Sequence, residues 1–231
     1  MKEDLYGQAL LDYAAGKEKS LYLETSYGTR EEMPVSHYFR DYDGLPDIDQ
    51  IALQFCSGNI LDVGAGAGVH SLILQENNNT VTALELSPGA CQVMKKNGVQ
   101  NVLNADFYTL TKRKFDTILL LMNGLGLAGT LNNLPVFLSK AKSLLSEDGV
   151  ILVDSSDIRY LYEEEGVRWP QEGYYGEISY RYIYGGKTGD WFPWLYADAD
   201  TLEKYAGQAG LDCNVIFTDD NDQYLARLYR P

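Results

Sequence analysis

Apolar and polar positions fall into a regular rhythm from residue 59. Short apolar runs there alternate with stretches of helical periodicity, the pattern of a parallel sheet whose strands are joined by crossover helices. Five runs read as strands: 59–63, 80–85, 101–105, 115–122 and 149–154. Each is four to eight residues long, as buried strands should be. The crossover after the second strand carries its own punctuation. Ser87 can cap it, Pro88 suits the first helical position, and Gly98 can close it in a left-handed conformation. Before the fifth strand, Leu134, Phe137, Leu138, Ala141, Leu144 and Leu145 recur at helical spacing, with Asn133 and Pro135 at the start and Gly149 after the end.

Beyond Asp154 the alternation breaks. The stretch 156–197 holds all three tryptophans, Trp169, Trp191 and Trp194, with a dense set of tyrosines, and reads as an insertion. Inside it, Ile178, Tyr180, Tyr182 and Tyr184 alternate with Ser179, Arg181 and Ile183 ahead of Gly185-Gly186, which predicts an antiparallel strand entering a hairpin. Asp200-Thr201-Leu202-Glu203 has the form of a capping box opening a helix that runs to Gly210, and 215–217 and 224–229 read as closing strands. The expected organisation is a single domain over 1–231. It comprises an amino-terminal helical cap segment (1–50), a cofactor-binding core (51–155), the insertion (156–197) as a candidate substrate cover, and a closing helix with strands (198–231).

Composition narrows the partners. The chain has 231 residues, enough for a sizeable α/β core, and its 19 Lys and Arg against 33 Asp and Glu give a formal charge of −14. Such a surface repels a phosphate backbone, so nucleic acid is not expected as a partner. The basic clusters at Lys95-Lys96 and Lys112-Arg113-Lys114 are short and read as solvated surface. Cys56, Cys91 and Cys213 are odd in number and widely spaced, which indicates neither a disulfide framework nor a zinc site and suits a reducing cytoplasm. No apolar stretch is long enough for a membrane span, and no signal peptide is visible.

The chemistry concentrates where the first strand runs into Gly64-Ala65-Gly66-Ala67-Gly68 and then a helix beginning near Val69. Glycines there permit left-handed dihedrals and remove the Cβ atoms that would block a ligand, while the following helix presents unpaired amides. Glu85 ends the next strand, where a carboxylate can accept from both hydroxyls of a ribose. A dinucleotide fingerprint would need its third glycine at position 69, which is Val69. A nicotinamide oxidoreductase is disfavoured on that ground.

The pattern from Asp62 to Gly68, acidic-x-Gly-x-Gly-x-Gly, resembles motif I of the class I S-adenosylmethionine-dependent methyltransferases. The likeness continues through Glu85, Asn104-Ala105-Asp106-Phe107, the run from Phe115 to Asn123-Gly124, and Leu145-Ser146-Glu147-Asp148-Gly149-Val150-Ile151-Leu152, covering roughly 50–155 and the closing strands. The resemblance implies a doubly wound α/β fold with seven strands in the order 3-2-1-4-5-7-6, the last antiparallel, and an aromatic-rich insertion after strand five. It implies S-adenosyl-L-methionine as the cofactor. Gly64, Ala65 and Gly66 would lie along its methionine part, with Glu85 on the ribose. Leu86 and Phe107 would enclose adenine, Asp106 would accept from its amino group, and Asn123 would line the floor near the sulfonium. Asp62 braces the turn on this reading.

Plainer readings stand beside these. Glu85 is otherwise an exposed strand-end carboxylate, Asp106 a surface acid, and Asn123 a turn former with Gly124. Arg40 pairs with the methionine carboxylate or is an ordinary surface arginine. His37 and Tyr38, in a segment that related enzymes fold over the donor, and Trp191 and Trp194, in the insertion, are the candidate substrate contacts. No catalytic base is identified, no metal is expected, and His70 reads as packed or surface. Met122-Asn123-Gly124-Leu125 in place of an Asp-Pro-Pro-Tyr or Asn-Pro-Pro-Tyr signature disfavours adenine amino-group methylation, and the absence of a Pro-Cys pair disfavours cytosine chemistry. The function expected is methyl transfer to a small-molecule acceptor. The alternative is a non-catalytic protein that binds the donor and acts through a partner; an aminopropyl transferase is a lesser one.

Overall fold

The computed structural model describes residues 3–17, 19–163 and 166–231. In chain order the elements are α1 (Leu5–Ala14), β1 (Leu21–Thr25), β2 (Arg30–Met33), α2 (Asp47–Phe55), β3 (Asn59–Val63), α3 (Val69–Glu76), β4 (Thr80–Glu85), α4 (Pro88–Asn97), β5 (Val102–Asn104) and β6 (Phe115–Leu120). They continue with α5 (Leu134–Leu144), β7 (Leu145–Ser156), α6 (Tyr160–Glu163), β8 (Glu177–Tyr184), β9 (Lys187–Thr188), β10 (Phe192–Leu195), α7 (Ala199–Gln208), β11 (Asp212–Thr218) and β12 (Gln223–Tyr229).

Seven strands form one sheet in the order β5-β4-β3-β6-β7-β12-β11. Numbered as met in the sheet, this is the expected 3-2-1-4-5-7-6. β4 with β5 and β6 with β7 pair parallel, and β12 runs antiparallel to both of its neighbours. Ile60, Leu61, Ile118, Leu119, Leu120, Ile151, Leu152 and Val153 are fully buried, which explains the nearly continuous apolar runs. β3 and β4 occupy the expected spans, while β6 stops at Leu120 because Met122 and Asn123 turn left-handed, with φ of 64° and 56°. Gly149 does not close α5, whose C-cap is Leu145; the chain enters β7 directly, with a register irregularity where Phe115 faces Leu145 and Thr117 faces Val150.

A second, five-stranded sheet has the order β10-β8-β1-β2, with β9 on β8. The amino-terminal segment expected to be helical therefore contains a hairpin after α1. Its strands are too short to show a period, and β1 finds its second partner in β8, far along the chain, where Tyr22 faces Ile183 and Thr25 faces Tyr180. The hairpin expected after β8 forms at Gly185 and Gly186, both left-handed, with φ of 57° and 80°.

By contacts the chain divides into two compact units: Met1–Leu45 with Leu61–Leu110 and Ser179–Phe192, and Pro46–Ile60 with Thr111–Ile178 and Pro193–Pro231. In the first, α1 is seated on the start of α4. Asp4 caps α1 through the Gly7 amide at 2.8 Å and also accepts from Ser87 Oγ at 2.7 Å and the Gly89 amide at 2.9 Å. A Cβ on Gly89 would lie 2.7 Å from Gly7 Cα, so two glycines permit this crossing. Leu5, Ala9 and Leu10 of α1 share a buried cluster with Leu21, Val35, Ala90 and Val93. In the second unit, α7 is capped by Asp198, which accepts from the Thr201 amide at 2.9 Å, and not by the expected Asp200. Asp198 is the residue with extended backbone at the helix entry, and Tyr174 also holds it there.

Candidate active site

The first unit contains the glycine turn. Gly64, Gly66 and Gly68 have φ of 73°, 58° and 88°, values that L side chains rarely adopt. The amides of Gly64 and Ala65 donate to Leu84 O at 2.9 and 3.1 Å, tying the turn to β4. The Gly66 amide donates to Glu85 Oε2 at 3.0 Å and the Ser87 amide to Oε1 at 2.8 Å. Glu85 is buried. Desolvation pushes its carboxyl above the usual range, against the pull of these backbone amides. The Leu86 amide also acts on this carboxyl, which keeps acceptor capacity for a further donor. Asp62 accepts from Ser71 Oγ at 2.6 Å and so joins β3 to α3, the bracing role expected of it. His70 is buried in the same helix.

Two tyrosines that are distant in sequence meet at Gly66, and a third stacks on the first of them. A Cβ placed there would lie 2.9 Å from the Tyr6 hydroxyl and 3.0 Å from Tyr38 Cδ1. Tyr6 meets Tyr38 edge to face at 5.4 Å and stacks on Tyr182 at 5.5 Å. Tyr38, named from the sequence, is joined by Tyr182, of the insertion read as a candidate substrate cover, and by Tyr6, which was not singled out. The Asp4 cap followed by Gly7 is the signal that could have located Tyr6, because it fixes how α1 meets its neighbours. His37 is exposed, and its carbonyl accepts from Arg40 Nε at 2.9 Å, which holds the half-buried Arg40 against the turn of Val35–Phe39.

Past β4, Leu86 is 69% exposed, an apolar side chain left in the open at a strand end. Asn104 Nδ2 fixes the backbone there by donating to the carbonyls of Glu85 and Leu86, each at 2.9 Å. Asp106 is exposed and caps a short 3-10 turn, Phe107–Thr109, accepting from the Tyr108 amide at 2.8 Å through one oxygen. Phe107 is buried.

The second unit contains a different turn. Asn123 and Gly124 follow β6, and their amides donate to Asp154 Oδ2 and Oδ1, each at 2.8 Å. Gln223 Nε2 gives Oδ2 another bond at 2.8 Å. Asp154 is fully buried, and desolvation with the nearby charge of Asp49 pushes it up to about 6 despite those hydrogen bonds. Ser156 Oγ donates to Asn123 Oδ1 at 2.8 Å, which fixes the amide with Nδ2 as its remaining donor. Asp154 is the clamp of this turn.

The insertion's aromatics divide. Trp194 lies directly on the backbone after Asn123, since a Cβ on Gly126 would meet its indole nitrogen at 1.9 Å. Trp191 is in the other unit, exposed, with the Arg181 guanidinium 4.6 Å from its ring centre. Trp169 stacks on Tyr162 at 4.7 Å. Beyond the end of β7, Tyr175 donates to Asp157 at 2.8 Å and Tyr174 to Asp198.

A model described as a methyltransferase domain matches residues 36–214. A crystal structure of a SAM-dependent methyltransferase from Bacteroides fragilis, in complex with S-adenosyl-L-homocysteine, is 41% identical over 99% of this chain and 95% of that one, with a TM-score of 0.91. The chain belongs to the SAM-dependent methyltransferases. Its cofactor is S-adenosylmethionine. The methyltransferase is also similar in fold to CcbJ from Streptomyces caelestis, with TM-score 0.64 and 14% identity over 83% of this chain and 99% of that one. CalS10, an amino pentose methyltransferase from Micromonospora echinaspora, gives 0.56 and 15% over 82% and 94%. No curated protein matches the chain in sequence. Among the described residues no helix is long and apolar enough to cross a membrane.

Proposed function

We propose that this methyltransferase methylates a small-molecule nucleophile, with its donor held on the glycine turn of the first unit. The observation that carries the reading is the buried Glu85 carboxylate, fixed by backbone amides of Gly66 and Ser87, with that of Leu86 also acting on it, and with acceptor capacity left over. That acceptor suits a ribose hydroxyl. Gly64, Ala65 and Gly66 offer bare backbone to the methionine part, and Arg40, held at Nε, has its terminal amino groups for the carboxylate. The exposed Leu86 and the buried Phe107 supply apolar surface for adenine, and the second oxygen of Asp106 suits its amino group. Asn123, in the second unit, has a rigidly held amide of its own.

The bound donor supplies a methyl group already activated by a sulfonium charge. In-line displacement forms the bond from the acceptor's lone pair to the methyl carbon as the carbon–sulfur bond breaks, and neutral S-adenosylhomocysteine leaves. The chain's contribution is then alignment, worth up to about 7–11 kcal/mol in favourable cases, and exclusion of water. In the first unit His37, Tyr38 and Trp191 are the proposed acceptor contacts, and in the second Trp194 is a candidate by itself; such rigid amphipathic rings fit a small acceptor. The charge of −14 argues against nucleic acid, and three free cysteines suit the cytoplasm in which we place the enzyme. The test is transfer of a labelled methyl group from S-adenosylmethionine into a fractionated small-molecule extract. Label in a low-mass fraction that requires the enzyme is the expected result; label only in the protein or nucleic-acid fraction overturns the acceptor class.

A further inference from the structure

We infer that Tyr6, Tyr38 and Tyr182 form a cation-selective cover on the glycine turn, through which the enzyme holds its positively charged donor more tightly than the neutral product. The inference rests on the donor placement proposed above. It draws on three elements: α1 supplies Tyr6, the turn Val35–Phe39 supplies Tyr38, and β8 supplies Tyr182. Their convergence is built into the fold, because Asp4, Gly7 and Gly89 fix α1 on α4 and β8 pairs with β1.

The polarity of this cluster favours a cation. The Tyr38 hydroxyl donates to Met33 Sδ at 3.8 Å, and the Tyr6 hydroxyl lies beside Gly66. The Tyr38 proton is committed to that contact, and the Tyr6 oxygen carries lone pairs beside Gly66. Glu85 acts electrostatically on all three phenols, Asp4 on Tyr182, and Arg40 on Tyr38. Burial pushes Tyr38 up to about 12 and Tyr6 and Tyr182 well above the usual tyrosine value, so the hydroxyls stay neutral at ordinary pH. Neutral phenols attract a cation through oxygen lone pairs and ring faces, and they have little to offer an uncharged thioether. Donor and product differ by one methyl group and one charge, both at sulfur. A contact confined to that sulfur must show as a difference between their affinities.

Calorimetry with S-adenosylmethionine and S-adenosylhomocysteine on the wild type, Tyr6→Phe and Tyr38→Phe reads this difference directly. Phenylalanine keeps the ring packing, and homocysteine-product affinity with the circular dichroism spectrum controls for the fold. Tyr6→Phe should weaken donor binding about fivefold to thirtyfold while product affinity changes less than about twofold. Tyr38→Phe should move the same ratio in the same direction by less. Equal losses for both compounds, or no change in the Tyr6 variant, would overturn the inference while leaving the donor site standing. Binding of neither compound by the wild type would overturn the placement and the inference together.

Discussion

Two left-handed turns, one in each unit, solve the same conformational problem by opposite means. After β3 the chain uses glycine at 64, 66 and 68, where positive φ carries no Cβ penalty. After β6 it places Met122 and Asn123 in the same region, which for ordinary L residues costs about 1–2 kcal/mol each and less for asparagine. Each turn is gripped by a buried carboxylate from a neighbouring strand end, Glu85 on the Gly66 amide and Asp154 on the amides of Asn123 and Gly124. The difference lies in what remains for a ligand. Glu85 retains acceptor capacity beside bare backbone, whereas Asp154 accepts three hydrogen bonds and holds a side chain, Asn123, in one orientation. The first turn is a cradle and the second a mount.

The largest expected effect breaks the cradle. Gly66→Val puts a β-branched side chain at φ of 58°, against the Tyr6 hydroxyl and the Tyr38 ring, and should abolish donor binding by calorimetry while circular dichroism shows the sheet retained. A folded variant with normal affinity would mean that the glycine turn is not the site. Next comes the mount. Asp154→Ala leaves two backbone amides without their acceptor in a buried position and should destabilise the protein by about 2–5 kcal/mol in denaturant melts. Loss below about 1 kcal/mol would show that the turn holds itself.

Acidity sharpens the same contrast. Asp154 is raised to about 6 from an ordinary value near 3.8, so folding favours its protonated form. That contribution is fully present below the unfolded value and is lost as pH rises through the folded one. The stability difference between wild type and Asp154→Asn should therefore shift against the wild type by up to about 3 kcal/mol between pH 4 and 7. A pH-independent difference would deny the burial that raises this carboxyl. The smallest effect is at Met122. Met122→Gly removes a left-handed side chain and should stabilise by about 0.5–1 kcal/mol in the same melts; destabilisation would show that the methionine side chain contributes more than its backbone costs.

The two turns also differ in how far the sequence reveals them. The glycines, Glu85 and the apolar runs of β3 and β4 are local signals, and the strand bounds there coincide with the expected ones. The cap at Ser87, Pro88 and Gly98 is equally local and forms as read, with Ser87 Oγ accepting from the Ala90 amide at 3.0 Å. Asp154 gave little warning, since its three donors come from the turn after β6 and from β12. β1 and β2 were hidden for a similar reason: five and four residues show no period, and the partner β8 is contributed by the insertion. Tyr6 and Tyr182 are ordinary aromatic positions in their own segments, and only the sheet and the Asp4 contact bring them together.

The central claim is that Glu85 and the glycine turn hold the donor. Titration of S-adenosylhomocysteine into wild type and Glu85→Ala tests it most directly, because the ribose is common to donor and product and no acceptor is needed. Wild-type binding in the micromolar range with a loss of about 1.5–3 kcal/mol in the folded variant is the predicted result. Unchanged affinity in a folded Glu85→Ala protein would contradict it.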